Sequence, residues 1–299
     1  NRRTREKMTI TTSNPPATYE QLVDLALRED LGTIDVEADL TAAWTVAKDA
    51  EDSARIIARQ AGISAGIEVA RAVFARLDER ICFLPQVEDG APVAADEVLI
   101  RLQGSARALL AGERTALNFL QQLSGVATLT DLFVDAIEGT SARITDTRKT
   151  TPGWRQLQKW AVQLGGGVNH RMGLYDAVLI KENHATAAGG VGQAVAKARL
   201  QNLDKRVPIF VETENLDEVQ DALAEGPDRI MLDNMDAAAM RQAVEAIRAS
   251  NQTIEIEATG GYTLKTVRDA AETGVDLISI GALTHSAPAL DMSMLFTGK

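Results

Sequence analysis

ARITDT, at residues 142–147, is the first of six short runs rich in β-branched and aliphatic residues. The others are AVLIK at 177–181, PIFVET at 208–213, RIMLDN at 229–234, TIEIEAT at 253–259 and LISIGAL at 277–283. Helical patterns separate most of these runs, for example at 216–225, 237–249 and 263–273. Strand, helix and strand at this spacing predict parallel strands with right-handed crossovers. We therefore expect an α/β barrel, with an open doubly wound sheet as the alternative.

A different pattern of predicted strands and helices precedes residue 139. Strand-like pieces at 54–62, 81–87 and 97–104 alternate with a helical segment and with turns, which predicts a compact α/β layered domain. Residues 105–139 have a helical pattern, which Gly125 is expected to divide into two helices. We predict a flexible extension at 1–17, an N-terminal domain at 18–139 that includes a helical linker, and the barrel at 140–283. A return of residues 284–299 to the first domain stays open.

The composition limits the classes of partner. The 299 residues carry a formal net charge of −11, so the overall field repels nucleic acid and anionic membranes. No apolar run approaches the ~18 residues of a membrane span, and the basic start, NRRTREKM, lacks the apolar stretch of a secretory signal. Cys82 is the single cysteine, and its apolar surroundings predict a core position. A chain without an intrachain disulfide fits a reducing compartment, so a cytoplasmic location is expected.

Charged and small residues follow the predicted strands, where ligands bind in barrels and open α/β sheets alike. Arginine offers a planar fork, and lysine a point charge, to carboxylates and phosphates. One such residue alone would be ordinary surface, but their convergence on one rim predicts a site for a ligand with several anionic groups. The rim residues are Arg148, Lys149, Arg171, Lys181, Glu212, Asp233, the turn Thr259-Gly260-Gly261 and the pair Gly281-Ala282.

The two carboxylates of the rim, Glu212 and Asp233, cannot bind an anion directly. Their expected role is to hold Mg²⁺, which then contacts phosphate oxygens. The backbone N–H groups of TGGY and IGAL are suited to a phosphate group. His170, in GGGVNHR, is either a general acid/base or a hydrogen-bond donor to an anion. His184 and His285 either support the site or are structural.

A long block at 145–184, TDTRKTTPGWRQLQKWAVQLGGGVNHRMGLYDAVLIKENH, strongly resembles nicotinate-nucleotide pyrophosphorylase, also called quinolinate phosphoribosyltransferase (decarboxylating). Similar segments are ERTALNFLQQLSGVAT at 113–128, IMLDN at 230–234, EATGGY at 257–262 and GVDLISIGALTHSAPALDMS at 274–293. The similarity runs from residue 18 to the C-terminus. Thr259 stands where the family usually has serine, which preserves the hydroxyl. VETEN at 211–215 differs slightly from the family pattern, with Glu212 in place.

The resemblance implies a fold and a reaction. The fold is an N-terminal α/β sandwich followed by an open, seven-stranded α/β barrel, in a homodimer whose N-terminal domains cap the partner barrels. The reaction is a pentosyl transfer in de novo NAD synthesis. Phosphoribosyl pyrophosphate and quinolinate, with Mg²⁺, give nicotinate mononucleotide, pyrophosphate and CO₂.

The resemblance also implies residue roles. Lys149, Glu212 and Asp233 are the expected catalytic residues, and the two carboxylates meet Mg²⁺ directly, through water, or through ribose hydroxyls. Arg114 is expected to reach the site from the other subunit, although its helical segment alone would indicate a surface residue. The full implied substrate-binding set is Arg114, Thr147, Arg148, Lys149, His170, Arg171, Lys181, Glu212, Asp233, Thr259, Gly260, Gly261, Gly281, Ala282 and Leu283.

Two other functions stay open at this point. One is a phosphoribosyltransferase for a related pyridine carboxylate. The other is a non-catalytic metabolite-binding protein on the same scaffold. Loss of a strand-end cation or carboxylate would indicate the second, and this sequence retains them all.

Overall fold

Two main sheets organise the chain, one antiparallel and one parallel. The computed structural model describes residues 14–204, 206–250 and 253–298. These residues form two compact units. The first comprises the described residues up to Asp131, the segment Thr151–Gly166 and the residues from Ala287 onward. The second comprises Leu132–Thr150 and Gly167–Ser286.

The first unit is an α/β layered domain. Its strands, numbered along the whole chain, are β1 Glu51–Ala58, β2 Gly62–Ile63, β3 Cys82–Pro85, β4 Pro92–Val93, β5 Val98–Ser105 and β12 Met292–Phe296. Its helices are α1 Tyr19–Leu31, α2 Leu40–Thr45, α3 Ile67–Leu77, α4 Ala106–Ala136, which ends just beyond the unit, and α5 Arg155–Leu164. The sheet is antiparallel with strand order β12-β1-β5-β3, while β2 pairs with β4. Phe74 of α3 contacts Phe83 of β3, with 6.3 Å between ring centroids, so a helix layer covers this sheet.

Two sequence predictions for this unit are wrong, each for a packing reason. Helix α4 continues without a break through Gly125. The glycine is needed because another backbone approaches it: a Cβ at this position would lie 2.2 Å from the carbonyl oxygen of Pro288. Cys82 is exposed rather than buried, because β3 is an edge strand and its alternation turns Phe83, not Cys82, toward the core.

The segment 151–166 packs in the first unit, although its sequence position predicted a place in the barrel. The Trp154 ring stacks on Phe119 of α4, with 4.9 Å between centroids and 13° between planes. A Cβ on Gly165 would lie 2.3 Å from the carbonyl oxygen of Ala127 in the same helix. The observed divisions therefore differ from the predicted boundaries at 139/140 and 283/284. Most of the predicted extension, residues 1–13, lies outside the described part of the chain.

The second unit alternates short parallel strands with helices. The strands are β6 Arg143–Thr145, β7 Val178–Ile180, β8 Ile209–Thr213, β9 Arg229–Asp233, β10 Glu255–Thr259 and β11 Leu277–Ser279. The helices are α6 Glu182–Ala188, α7 Val191–Gln201, α8 Leu216–Glu225, α9 Ala237–Ala249, α10 Val267–Ala271 and α11 Ala282–His285. Within the described residues, no helix of either unit combines the length and the apolar character needed to cross a membrane.

The strand order decides between a barrel and a doubly wound sheet. It is β6-β11-β10-β9-β8-β7, so every strand from β8 to β11 lies beside its predecessor and the winding never reverses. With right-handed crossovers, this order places the connecting helices on one face and lets the other face curl inward. The α/β class predicted from the sequence, a layered domain followed by a barrel, is confirmed.

The barrel is open between its first two strands, β6 and β7, which do not pair. The described residues supply six strands, and the seventh position is reduced to one residue, Val168, which forms a parallel bridge with Thr145. Strand residues alternate between the inner face, where Phe210 and Met231 form an apolar cluster with Ala177, and the helix-facing side. Because all six strands are parallel, their carboxyl ends lie at one common edge.

Candidate active site

A cavity of about 310 Å³ lies at the carboxyl ends of the barrel strands. All four cations predicted for the rim line it. The polar lining residues are Thr147, Arg148, Lys149, His170, Arg171, Lys181, Glu212, Glu257, Thr259 and Ser279, and the apolar ones are Leu179 and Met231. Every one of the six strands, or the loop that directly follows it, contributes to this lining.

Arg148 and Lys149 follow β6, where backbone contacts fix the chain. The backbone N–H of Lys149 donates to Thr147 Oγ1 at 3.0 Å, and its carbonyl accepts from Thr284 Oγ1 at 2.8 Å. A Cβ on Gly281 would lie 3.2 Å from the Lys149 side chain and 3.1 Å from His285 Nε2. Gly281 therefore leaves room for the lysine stem at the rim.

His170 is a buried residue whose backbone and ring are both engaged. Its N–H donates to Asp146 Oδ1 at 2.9 Å, and its Nδ1 accepts the Arg171 N–H at 2.7 Å. Because Nδ1 acts as an acceptor, the proton of the neutral ring is on Nε2. Nε2 lies 3.6 Å from Glu257 Oε2, and the ring meets Phe210 edge-on. The Arg171 N–H, the Glu257 carboxyl and the Phe210 ring therefore surround the His170 ring and fix its orientation.

Arg171, one of the cations that the sequence predicted, is partly buried. Its Nη1 donates to the carbonyl of Ala177 at 2.9 Å, whereas its buried Nε has no hydrogen-bond partner in the described part of the chain. Burial lowers the pKa of Arg171, and the charge of Arg148 lowers it further. Two neighbouring guanidinium groups in this position favour an anion between them.

Lys181 and Glu212 form an ion pair at the ends of β7 and β8. The lysine is also the N-cap residue of α6, where its backbone N–H donates to His184 Nδ1 at 3.1 Å. His184 therefore has a structural role at the start of this helix.

His285, the other histidine left open by the sequence, also contacts a neighbouring residue. Its Nδ1 lies 2.6 Å from Ser286 Oγ.

A second cavity, of about 360 Å³, shares Lys181 and Glu212 with the first and is strongly acidic. Its carboxylates are Glu182, Glu212, Glu214, Glu218, Asp221 and Asp233. The charge of Glu182 makes the largest contribution to a raised pKa of the Glu214 carboxyl, which shows that these anions repel one another. No described group of three His, Cys, Asp or Glu side chains is arranged to hold a metal ion. One or two carboxylates together with ligand phosphates is the usual arrangement around Mg²⁺, and Glu212 and Asp233 both line this cavity.

The predicted glycine turns lie beside the cavity rather than in its lining. Thr259 lines it, but Gly260, Gly261, Gly281, Ala282 and Leu283 are absent from its described lining. Gly260 has φ +153°, and a Cβ there would lie 3.1 Å from Asn234 Oδ1. Leu283 is fully buried.

Arg114 lies in the first unit, on α4. It is exposed and lines a cavity of about 290 Å³ together with Leu25, Phe119 and Trp154. Its proposed role concerns a second subunit, and this single chain leaves that role a prediction.

Four lining residues were missed by the sequence reasoning: Leu179, Met231, Glu257 and Ser279. The two-residue alternation of side chains along each strand could have identified them. Glu257 lies two positions before Thr259, and therefore faces the same side of β10. Leu179, Met231 and Ser279 likewise lie two positions before the predicted site residues Lys181, Asp233 and Gly281.

Comparison with known proteins agrees with this geometry. Residues 39–124 match the profile "Quinolinate phosphoribosyl transferase, N-terminal domain", and residues 126–295 match the profile of the C-terminal domain of the same family. The chain belongs to the quinolinate phosphoribosyltransferase family. The match covers both units, and the C-terminal profile includes every residue that lines the barrel cavity.

Relatives of this family are similar along most of their length. A probable nicotinate-nucleotide pyrophosphorylase (carboxylating) of Synechocystis is 46% identical over 81% of this chain and 81% of its own. One from Bacillus subtilis is 41% identical over 92% of each chain. The solved nicotinate-nucleotide pyrophosphorylase of Francisella tularensis superposes with a TM-score of 0.89 at 39% identity, covering 95% of this chain and 98% of its own.

Proposed function

We propose that this protein transfers the phosphoribosyl group of phosphoribosyl pyrophosphate to quinolinate. The products are nicotinate mononucleotide, pyrophosphate and CO₂, as in de novo NAD synthesis. The observation that carries the proposal is the convergence of Arg148, Lys149, Arg171 and Lys181 on one small cavity, in a chain of the family that the profiles name.

The cavity suits a pyridine with two adjacent carboxylates. Its volume, about 310 Å³, is at the small end of ligand pockets. The buried Arg171 Nε offers a donor that no described residue uses, and the two apolar residues Leu179 and Met231 offer contact to a ring. A monoacid would leave part of this positive charge uncompensated, which disfavours it.

The chain's residues contribute positioning and charge rather than a covalent nucleophile. The cations hold the pyridine so that its ring nitrogen faces the ribose carbon as pyrophosphate departs. The departing pyrophosphate leaves positive character on the ribose, as in other glycosyl transfers. After transfer the ring nitrogen is cationic, so the ring accepts the electron pair that is left when the 2-carboxylate departs as CO₂. Lys149, Glu212 and Asp233 remain the proposed catalytic residues.

Mg²⁺ is part of the proposal. Glu212 and Asp233 would hold it at the acidic cavity, directly, through water, or beside the ribose hydroxyls. When bound, the ion would neutralise phosphate charge. The mutual repulsion around Glu214 supports a cation there, because a cation would relieve it.

The assembly and location are proposed on the same basis. A homodimer would bring Arg114 of one subunit to the barrel of the other, and backbone N–H groups of Gly260, Gly261, Gly281, Ala282 and Leu283 would serve the phosphate. The cytoplasm is the proposed compartment.

The substrate test is direct. Purified protein with quinolinate, phosphoribosyl pyrophosphate and Mg²⁺ should form nicotinate mononucleotide, followed by chromatography, whereas nicotinate in place of quinolinate should react at least ~100-fold more slowly. Equal use of nicotinate would favour the alternative, a transferase for a related pyridine carboxylate. Binding of both substrates without any turnover would favour a metabolite-binding protein.

The metal prediction has its own test. Activity should fall to background in EDTA and return with excess Mg²⁺, because carboxylates and phosphates together bind this ion. Glu212→Gln should raise the Mg²⁺ concentration needed for half-maximal rate, whereas Glu245→Gln, on the exposed side of α9, should not. Full activity in EDTA would contradict the metal role of Glu212 and Asp233.

A further inference from the structure

The floor of the cavity contains an acid that the mechanism above does not use. Glu257, on β10, has no solvent-exposed surface, yet it lines the cavity between His170 and Ser279. A buried carboxylate beneath a site for a dianion would repel the ligand. A chemical role would explain why this carboxyl group lies among four cations.

The two carboxyl oxygens of Glu257 have different surroundings. Oε2 accepts Arg229 Nη1 at 2.6 Å and faces His170 Nε2 at 3.6 Å. Oε1 is buried and accepts no hydrogen bond of good geometry in the described part of the chain, although the Ser279 hydroxyl is close enough to the carboxyl to lower its pKa slightly. Arg229 is itself held by Glu255 and by the Phe210 ring, which its guanidinium covers at 4.2 Å. The ion pair thus fixes Oε2 and leaves Oε1 as the oxygen that can carry a proton.

The protonation state agrees with this geometry. Burial raises the pKa of Glu257 to about 7, although the Arg229 charge opposes the shift. A bound dicarboxylate adds negative charge above the group and raises this pKa further. Glu257 is therefore protonated at neutral pH when the ligand is present, and in that form it does not repel the ligand.

Other groups around the cavity are poorer proton donors. His170 receives a backbone N–H at Nδ1, so its ring is neutral, and loss of the Nε2 proton would leave an imidazolate. Arginine side chains are too weakly acidic to serve as proton donors. Lys181 donates its hydrogen bond to Glu212. Glu257 is an acid of this lining, and burial raises its pKa to about 7.

We propose that Glu257 supplies, from Oε1, the proton that replaces the departing carboxylate on carbon 2 of the pyridine ring. The inference rests on the proposed function, because only the decarboxylating transfer requires such a proton. The bond between carbon 2 and its carboxylate breaks, CO₂ leaves, and the electron pair stays on carbon 2 beside the cationic nitrogen. That pair takes the proton of Glu257, which becomes a carboxylate opposite Arg229. Solvent returns the proton after the product leaves, so each turnover consumes one proton.

The charged surroundings set the expected pH dependence. The groups that face Glu257 or share its cavity are Arg229, Glu255, His170, Arg148, Lys149, Arg171, Lys181 and Glu212. Because the acid form is the active one, the rate of CO₂ release in a single turnover should be constant below pH 7. It should fall about tenfold per pH unit above the pKa of Glu257 in the complex. This measurement uses the wild-type protein alone.

The decisive experiment separates the two chemical steps. In single turnovers, pyrophosphate and CO₂ are followed independently for wild type, Glu257→Gln and Glu255→Gln. Glu257→Gln keeps the shape but cannot donate an acid proton, so CO₂ release should fall at least ~100-fold while pyrophosphate release stays within about threefold of wild type. Glu255 also pairs with Arg229 but does not line the cavity, so its variant should keep the two releases coupled.

The outcomes are distinguishable. Pyrophosphate and CO₂ that appear together in Glu257→Gln, at any rate, would overturn the proton role and leave Glu257 a structural residue. A wild-type CO₂ rate that stays flat from pH 6 to 9.5 would overturn it too, even if Glu257→Gln did not fold. Wild-type protein that releases no pyrophosphate with quinolinate would instead overturn the proposed function, and the proton role with it.

Discussion

Lys149 illustrates how a flexible side chain can be placed accurately. Its backbone is fixed on both sides, by Thr147 and by Thr284, while the stem runs past Gly281. The ammonium group can then meet an anion without movement of the chain. An adjacent Arg148, fixed by the same turn, explains why two cations occur together in an acidic protein: the local field at the strand ends opposes the overall charge.

Replacement of Lys149 tests this local field. Lys149→Ala should lower kcat/KM for quinolinate by at least ~100-fold, because a charge-assisted hydrogen bond in an enclosed site is lost. Steady-state kinetics would measure it, with circular dichroism to check the fold. Lys197→Ala is a matched control, because Lys197 is an exposed lysine of α7 that contacts only the carbonyl of Ala188 among the described contacts. Wild-type kinetics in Lys149→Ala would remove this residue from the site.

At the scale of the element, the start of α3 depends on a buried acid. Asp89 accepts the backbone N–H groups of Gly66 and Ile67, at 2.6 and 2.9 Å. Burial raises the pKa of Asp89 from 3.8 to about 6, although these hydrogen bonds oppose the shift. Because the pKa is higher in the folded state, ionisation costs more there. The contribution of Asp89 is therefore fully favourable below the unfolded pKa and is lost as pH rises toward and through 6.

Asp89→Asn should remove this dependence, since the amide oxygen can accept the same hydrogen bonds without ionising. Relative to wild type, its free energy of unfolding should rise by about 2 kcal/mol between pH 4 and pH 7.5. Urea unfolding at the two pH values would measure the difference. Asp78→Asn provides a control of opposite sign, because the hydrogen bond from Arg80 lowers the pKa of Asp78. An Asp89→Asn difference that does not change with pH would contradict the assignment.

Gly125 offers a test of packing within α4. Alanine normally favours a helix over glycine by up to about 1 kcal/mol, but here the added Cβ would meet the backbone of Pro288. Gly125→Ala should therefore lower the free energy of unfolding by about 2 kcal/mol, measured by urea titration. Gly192→Ala in α7, where the nearest atom to a Cβ is 3.2 Å away, should be close to neutral. Equal stability of the two variants would show that the 287–298 segment moves away from the added methyl group at little cost in free energy.

The elements show what a sequence can and cannot predict. The six barrel strands were located to within a few residues because apolar runs bounded by glycine and charged residues have few alternatives. The rim cations followed, since parallel strands end at a common edge. Gly125 was misinterpreted because a glycine that permits close backbone approach has the same letter as one that ends a helix. Glu257 was missed because its burial and its pairing with Arg229 depend on neighbouring strands that are distant in sequence.

At the scale of the whole molecule, the two compact units differ in how the chain builds them. The second unit is interrupted once, by 151–166, whereas the first is assembled from three separate segments. The proposed dimer adds a further level, since Arg114 and the barrel cations belong to different units. The prediction that each site is shared between subunits therefore belongs to this scale.

Subunit mixing tests the shared site. Arg114→Ala and Lys149→Ala should each be nearly inactive alone. After exchange of subunits, about half of the dimers should be mixed, and each would hold one intact site beside one that lacks both residues. Activity should recover to roughly a quarter of wild type, by the same symmetry. No recovery, with exchange shown by mass spectrometry of differently labelled subunits, would place Arg114 in its own barrel or outside the site.

The position of β12 has a consequence for the order of events during synthesis. Residues 292–296 pair with β1, which lies some 240 positions earlier, across the register Ala54–Phe296 to Ala58–Met292. A ribosome must therefore release the chain through residue 296 before the antiparallel sheet can close, by which point every strand of the barrel has already emerged. Until then β1 keeps one edge unpaired, and an unpaired edge invites association with other chains. Chains that end before residue 292 should therefore depend on chaperones far more than chains that include β12.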